Sequence, residues 1–436
     1  MSKELITLNA DSYTNSTKNH LWSLNLISNN TMHGYWEPFY YKCIRKNLEE
    51  LGYVVTVKKF EDIDKTKPWF ISLKILSLRW EGNDLFFSSL PKECLNELIH
   101  GKAYLIVNNE DEYWTHSLLS IFYKHYHNDP CIPLNKIIII SGASLIHEVH
   151  NRFCIQHNIK DRVKILFSPH MNVLFNEAEL QFLIQPDKQD KSKLFTTLNR
   201  EWRLHRHGFI ALLAGLNLLD RGHVSLGASS QRISHVEEHG GWRNYLFNMY
   251  NQHKLEYRRP DNCQVFETAV RGLEKIYDKI PICLDKTEFD TNYADWESTP
   301  VDYMKDSYFH ICSSTWFFKQ DEESPGWHEK EWKPIIVKQP FFIVGRPGIL
   351  KLLRQFGFLT FSKWIDESYD EIDDDWDRLF SIAKEVERLS NLTKEELNSM
   401  IIDMQTTLDF NYEVLMNKKW DLFFYGSELK NLINYL

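Results

Sequence analysis

Residues 136–144 read Lys136-Ile137-Ile138-Ile139-Ile140-Ser141-Gly142-Ala143-Ser144, and this run decides the fold class. Four consecutive β-branched isoleucines followed by a small, polar turn predict a strand buried on both faces. Such strands belong to parallel sheets covered by helices on each side. A helical stretch runs from the turn to about His157, and Val163-Lys164-Ile165-Leu166-Phe167 reads as the next strand. The same grammar extends upstream. Ala103–Val107 reads as a buried strand before a helical pattern over Thr115–Tyr126. Apolar residues at helical spacing (Phe39, Cys43, Ile44, Leu48, Leu51) end at Gly52, a C-cap position, and lead into the β-branched run Tyr53–Val57. Alternating helix and strand signals predict an α/β layer, with ligands at the carboxyl ends of the strands, where the Ser141–Ser144 loop lies.

Residues 185–192, Gln-Pro-Asp-Lys-Gln-Asp-Lys-Ser, are polar and lack apolar periodicity, as a linker does. The grammar then restarts. Leu194–Leu198 reads as a strand, Leu204–Leu219 as a strongly apolar helix ended by Arg221-Gly222, and Phe309–Cys312 and Phe341–Val344 as later strands. The expected division is a first Rossmann-like domain over 1–185, a second over 193–415, and a C-terminal segment, 416–436, that packs back on the first.

The 436 residues exceed one ordinary core, which favours two domains. The composition is globular, 43% hydrophobic and 25% charged. A net charge of −9 gives no electrostatic reason for general nucleic-acid or anionic-membrane binding. No run approaches the roughly 20 apolar residues of a membrane span, and Met1-Ser2-Lys3-Glu4 shows no signal peptide. Seven scattered cysteines without a C-x-x-C pair fit reduced thiols. The expected location is the cytoplasm, that of a host cell if the protein is viral.

The chemistry concentrates in 308–361. Strand Tyr308–Cys312 leads to Ser313-Ser314, a polar loop, then His328-Glu329-Lys330-Glu331-Trp332-Lys333-Pro334-Ile335. A helix starting near Glu329 offers backbone N–H groups to an anion such as a diphosphate. A carboxylate there accepts the hydroxyls of a ribose, and a lysine gives phosphate a point charge. Glu329, Lys330 and Lys333 supply these groups, although Glu329/Lys333 also has the spacing of an ordinary helix ion pair. A second loop, Gly345-Arg346-Pro347-Gly348, again precedes a helix and offers close backbone approach.

The run HEKEWKPIIVKQPFFIVGRPGILKLLRQFGFLTF, 328–361, resembles the donor-binding motif of GT-B glycosyltransferases. It is similar above all to the EK…KP…G.P segment of α-1,3-fucosyltransferase-like and phage-type transferases, as is the FGFLTFSKWIDESYDEI that overlaps its end. The specific likeness covers roughly 305–390. In this chain His328 stands where Thr is usual, and Ser313-Ser314-Thr315 replaces an acidic residue and Asn. The resemblance implies a GT-B fold, two Rossmann-like domains facing each other across a cleft, and a glycosyltransferase. Its co-substrate is a nucleoside-diphosphate sugar, with no other cofactor. Glu329 is implied to bind the nucleotide ribose and Lys330 the diphosphate, beside Lys333, Ser313 and Ser314.

Arg200, Arg203 and Arg206 stand at spacing three where a helix opens the second domain, the position of a phosphate cradle or of a solvated basic face. In related transferases an arginine of this loop contacts the diphosphate, which Arg203 or Arg206 matches. A catalytic base is expected from the first domain, where Glu110 and Asp111 follow the strand Ala103–Val107; the loop around His33 and Glu37 is the other option. Solvated loop acids would look the same.

No metal is expected. His147 and His150 lack the H-E-x-x-H spacing, and His205 and His207 would diverge on a helix. Asp373–Asp377 precedes a helix whose dipole such acids complement. The acceptor expected is a glycan, or a hydroxymethylated base in viral DNA with Lys58, Lys59, Lys65 and Lys67 tracking phosphates. The alternative reading is a non-catalytic nucleotide-sugar or glycan-binding protein on the same scaffold.

Overall fold

The structure is a computed structural model that describes residues 5–14, 54–58, 62–66, 69–74, 90–109, 116–128, 132–141, 145–167, 190–199, 203–227, 263–280, 282–284, 301–315, 317 and 329–417. The chain divides into two compact units: 1–174 with 320–327 and 419–436, and 175–319 with 328–418.

The first unit is built on a six-stranded sheet. Its strands are β1 (Leu5–Thr14), β2 (Val54–Lys58), β3 (Trp69–Lys74), β4 (Ala103–Asn109), β5 (Ile137–Ser141) and β6 (Lys164–Phe167). The order is β2-β1-β3-β4-β5-β6 and every neighbour is parallel. All five residues of β5 are buried, as the isoleucine run requires. Helices α1 (Lys92–Ile99), α2 (His116–Asn128) and α3 (Ile146–Gln156) connect the strands. Between α2 and α3 the Tyr123 hydroxyl meets His150 Nε2 at 2.8 Å and Cys154 Sγ at 3.8 Å. Burial, with the charge of Arg162 second, lowers the His150 pKa to about 4, so the imidazole is neutral. His150 is a core histidine.

The second unit carries a four-stranded parallel sheet, order β10-β9-β7-β8. Its strands are β7 (Lys193–Asn199), β8 (Gly222–Leu226), β9 (Ser307–Ser313) and β10 (Phe341–Val344). Around it lie α4 (Leu204–Gly215), α5 (Cys263–Ile276), α6 (Val301–Lys305), α7 (Glu329–Ile336), α8 (Ile349–Gln355), α9 (Asp375–Ser390) and α10 (Lys394–Asn417). Every residue of α4 from Leu204 to Ala214 is buried, which explains the unbroken apolar run Phe209–Ala214. It packs backbone-close on α5 because a Cβ on Gly272 would collide with the Ala211 carbonyl. The helix expected to reach Leu219 stops at Gly215. Asn217 takes a left-handed φ of 60°, Leu219–Arg221 forms a 3-10 turn, and Gly222 begins β8. Asparagine tolerates that conformation better than most side chains, and so ends the helix a turn before the glycine.

Candidate functional site

The chain runs from β7 to β8 on one side, then returns to place β9 on the other side of β7. The crossover therefore lies between the carboxyl ends of β7 and β9. Ligands of open parallel sheets bind at such a point, because loops diverging to opposite sides leave a crevice. Asn199 ends β7, Ser313 ends β9, and α4 starts five residues after Asn199. The groups that gather here are thus set by topology.

Arg203 is the N-cap of α4, in extended conformation and exposed, with no side-chain capping bond. No acidic residue stands in the first turn of α4. Arg206 is different. The expected alternative, a basic solvated face, does not hold for it, since it is 3% exposed. Its Nη2 donates to the carbonyls of Ser313 at 3.3 Å and Ser314 at 3.4 Å. The arginine therefore sits beneath the exit of β9, with its charge inside the sheet edge.

His205 and His207 do diverge. His207 Nε2 meets the Gly227 carbonyl past β8 at 3.2 Å, and His205 Nε2 meets the Ser314 carbonyl at 2.9 Å. Since a carbonyl only accepts, His205 carries its proton on Nε2. Burial, and then the neighbouring Arg206 charge, holds its pKa well below the usual value, so the ring is neutral.

Lys330, half-buried in the first turn of α7, directs Nζ to Thr315 Oγ1 at 3.4 Å. Arg206 and Lys330 thus reach the same three-residue segment, Ser313–Thr315, from two helices. Ser313 and Ser314 are 3% and 1% exposed, and the Ser314 N–H donates to the Val344 carbonyl at 3.0 Å. Glu329 is the first residue of α7, and Lys333 lies half-buried one turn on. Pro334 removes the amide that would bond the Lys330 carbonyl.

Phe317, two residues past Thr315, is clamped. Its ring stacks on His205 at 5.0 Å between centroids, and the Arg378 guanidinium lies 4.3 Å from its centre. Arg378, 1% exposed, donates to the carbonyls of Phe317 at 3.1 Å and Gly345 at 2.9 Å. The chain leaving β9 and the chain leaving β10 are thereby tied through one side chain, whose only sequence signal was an arginine inside the apolar stripe of a helix.

The helix that follows the second glycine loop has its first amides occupied by the protein itself. Asp370, 4% exposed, accepts the N–H groups of Leu350 at 3.0 Å and Lys351 at 3.1 Å, so the start of α8 is filled by a carboxylate of the protein itself. Gly348 stands at that start with φ +82°, a conformation glycine adopts freely. Asp374 caps α9 in the same way, accepting from the Trp376 and Asp377 N–H groups at 2.9 Å each, which is the helix-entry use expected of that acidic run.

Glu110, Asp111, His33, Glu37, Arg200, Lys59 and Lys67 lie outside the described residues. Lys58 ends β2 and Lys65 is exposed. No helix among the described residues is long and apolar enough to cross a membrane.

No known protein family matches the sequence, and no curated protein does. Among solved structures the chain is similar to the DNA-modifying enzyme β-glucosyltransferase, studied with and without its substrate uridine diphosphoglucose. There the identity is 8%, the coverage 99% of each chain and the TM-score 0.39. It is also similar to a glycosyltransferase from Rickettsia africae ESF-5, with 10% identity, 99% of each chain and TM-score 0.41. A third is the N-terminal domain of Candida albicans trehalose-6-phosphate phosphatase, with 9% identity, 100% of this chain and 97% of that one, and TM-score 0.40. Likenesses this loose leave the functional case to the residues themselves.

Proposed function

We propose that the chain is a glycosyltransferase whose second unit holds a nucleoside-diphosphate sugar at the β7/β9 crossover. The observation that carries the reading is the convergence of Arg206 and Lys330 on Ser313–Thr315 beside the start of α4, whose own first turn holds no acidic residue. An anion there meets the positive end of α4 and the exposed Arg203, with the Arg206 charge buried behind them. Lys330 approaches from α7, and Glu329 at the start of that helix takes the ribose hydroxyls.

In glycosyl transfer an acceptor oxygen bonds to the anomeric carbon while the bond from that carbon to the diphosphate breaks. Negative charge grows on the departing diphosphate. Fixed cations at this place lower the barrier because they are already oriented for that charge. Arg203 and Lys330 supply direct contacts in this scheme, and Arg206 adds field from beneath. An inverting reaction also needs a base for the acceptor proton, and Glu110 and Asp111 are the candidates. A second reading, a binding protein without turnover, shares the same donor site.

The test is diphosphate release from a panel of nucleotide sugars, with a glycan mixture and hydroxymethylated DNA each offered as acceptor. Release with one donor, raised by an acceptor, supports the enzyme. Tight binding without release from any donor supports the binding protein, and neither binding nor release defeats both.

A further inference from the structure

Strands β7 and β9 pair with Thr197 opposite Ile311. Two residues further on, at the last position of each strand, Asn199 and Ser313 leave the sheet on the same side, because side chains alternate with period two. Both are buried, at 0% and 3% exposure. Ser307 Oγ, at the first position of β9, meets Thr196 Oγ1 at 2.7 Å, the Met304 carbonyl at 2.9 Å and Gln339 Nε2 at 3.0 Å.

At the crossover the bonds do not close. Asn199 donates its backbone N–H to Ser225 Oγ at 3.0 Å, gives Nδ2 to Thr197 Oγ1 at 3.0 Å, and accepts the Gly227 N–H on its carbonyl at 2.7 Å. Its Oδ1 finds no hydrogen-bond partner among the described residues, and neither does Ser313 Oγ. Unmade hydrogen bonds of buried groups are costly and rare in native cores. Other buried groups of the described residues share this state, His310 Nδ1 and Gln339 Oε1 among them, but Asn199 Oδ1 and Ser313 Oγ stand at the carboxyl ends of adjacent strands, where topology puts a ligand.

We propose that Asn199 and Ser313 are a recognition pair for a hydroxyl-bearing part of the ligand, its sugar or its ribose, separate from the cations that hold the diphosphate. This rests on the donor-site reading above. The chemistry of the pair excludes phosphate as its partner. Asn199 Oδ1 only accepts, and an ionised diphosphate has no proton to give it. A hydroxyl group donates to Asn199 Oδ1 while accepting from Ser313 Oγ, and so satisfies both at once.

The experiment uses the full chain and three probes: inorganic pyrophosphate, a nucleoside diphosphate and the matching nucleotide sugar. Calorimetric titration and thermal unfolding are measured for the wild type, Ser313→Ala and Ser307→Ala. Ser313→Ala is expected to lose about tenfold in affinity for the nucleotide or its sugar, the size of one lost hydrogen bond. Its pyrophosphate affinity stays at the wild-type level. Its melting temperature does not fall, because the free protein loses an unsatisfied group. Ser307→Ala, which removes a satisfied hydroxyl from the other end of the same strand, melts lower and binds as the wild type does. Unchanged nucleotide affinity in Ser313→Ala, an equal loss towards pyrophosphate, or a lowered melting temperature overturns the pair while leaving the donor site standing. A wild type that binds none of the probes overturns the donor site and the pair together.

Discussion

Replacing Arg378 with leucine isolates the clamp that ties the loops beyond β9 and β10. The side chain is 1% exposed and its guanidinium meets the carbonyls of Gly345, Ile372, Asp373 and Phe317 at 2.9, 2.9, 3.3 and 3.1 Å. It also pairs with Asp375 at 2.5 Å and covers the Phe317 ring. Each such bond contributes about 1 kcal/mol net, and a charged donor contributes more. Burial opposes the charge, and its removal offsets part of the loss: the same burial lowers the Arg378 pKa. The sum expected is a destabilisation of about 3–5 kcal/mol, chiefly from the buried Gly345 and Phe317 carbonyls left without this donor. For a unit of this size that corresponds to a fall of roughly 6–20 °C in melting temperature. Differential scanning calorimetry reads it. Arg378→Lys keeps the charge but not the fork, and recovers less than half of the loss. A fall below about 2 °C in Arg378→Leu would mean that the loops hold themselves, and the clamp would be refuted.

Glu329→Ala is expected to weaken nucleotide binding by about 1.5–3 kcal/mol, the worth of charge-assisted bonds to a ribose, with melting nearly unchanged; unchanged affinity in calorimetry removes the ribose role. Transfer activity is expected to persist in excess EDTA, and complete loss restored by magnesium or manganese would overturn a metal-free departure of the diphosphate. Acid lowers stability through buried histidines. Burial sets the His150 pKa at about 4 and the His310 pKa at about 3, both below the usual value near 6.5. The unfolded chain therefore binds more protons over this range. Stability is full above about pH 6.5 and falls as pH drops towards 4. His150→Asn should flatten that fall in a melting-temperature profile from pH 7 to 4.5, and an unaltered profile contradicts a neutral His150.

The strands buried on both faces were legible because their pattern needs no partner to be read. Ile137–Ile140, Leu194–Leu198 and Phe341–Val344 are each nearly continuous in apolar residues and form β5, β7 and β10. Strands β1, β3 and β8 were missed. Leu5–Thr14 and Gly222–Leu226 mix polar and apolar residues, and Trp69–Lys74 follows Pro68 without a glycine or helix signal to frame it. Of the site, the segment Ser313–Ser314 and the charges at 203, 206 and 330 were visible as residue types at loop positions. That Arg206 points beneath the sheet edge rather than outward was not. Helical phase places it on a face, but only the burial of all of α4 decides what that face meets. Asp370 at the start of α8 was equally hidden, since a cap supplied from twenty residues away leaves no local pattern.

If the proposed function is right, the β7/β9 crossover of the second unit holds the diphosphate of a nucleotide sugar. A crystal structure with the nucleoside diphosphate selected by the donor panel tests it most directly. The diphosphate is expected at the start of α4, within hydrogen-bonding distance of Arg203 and Lys330, and the ribose at Glu329. A nucleotide bound away from Ser313–Thr315, or one at that segment with its phosphates turned from both Arg203 and Lys330, would contradict it.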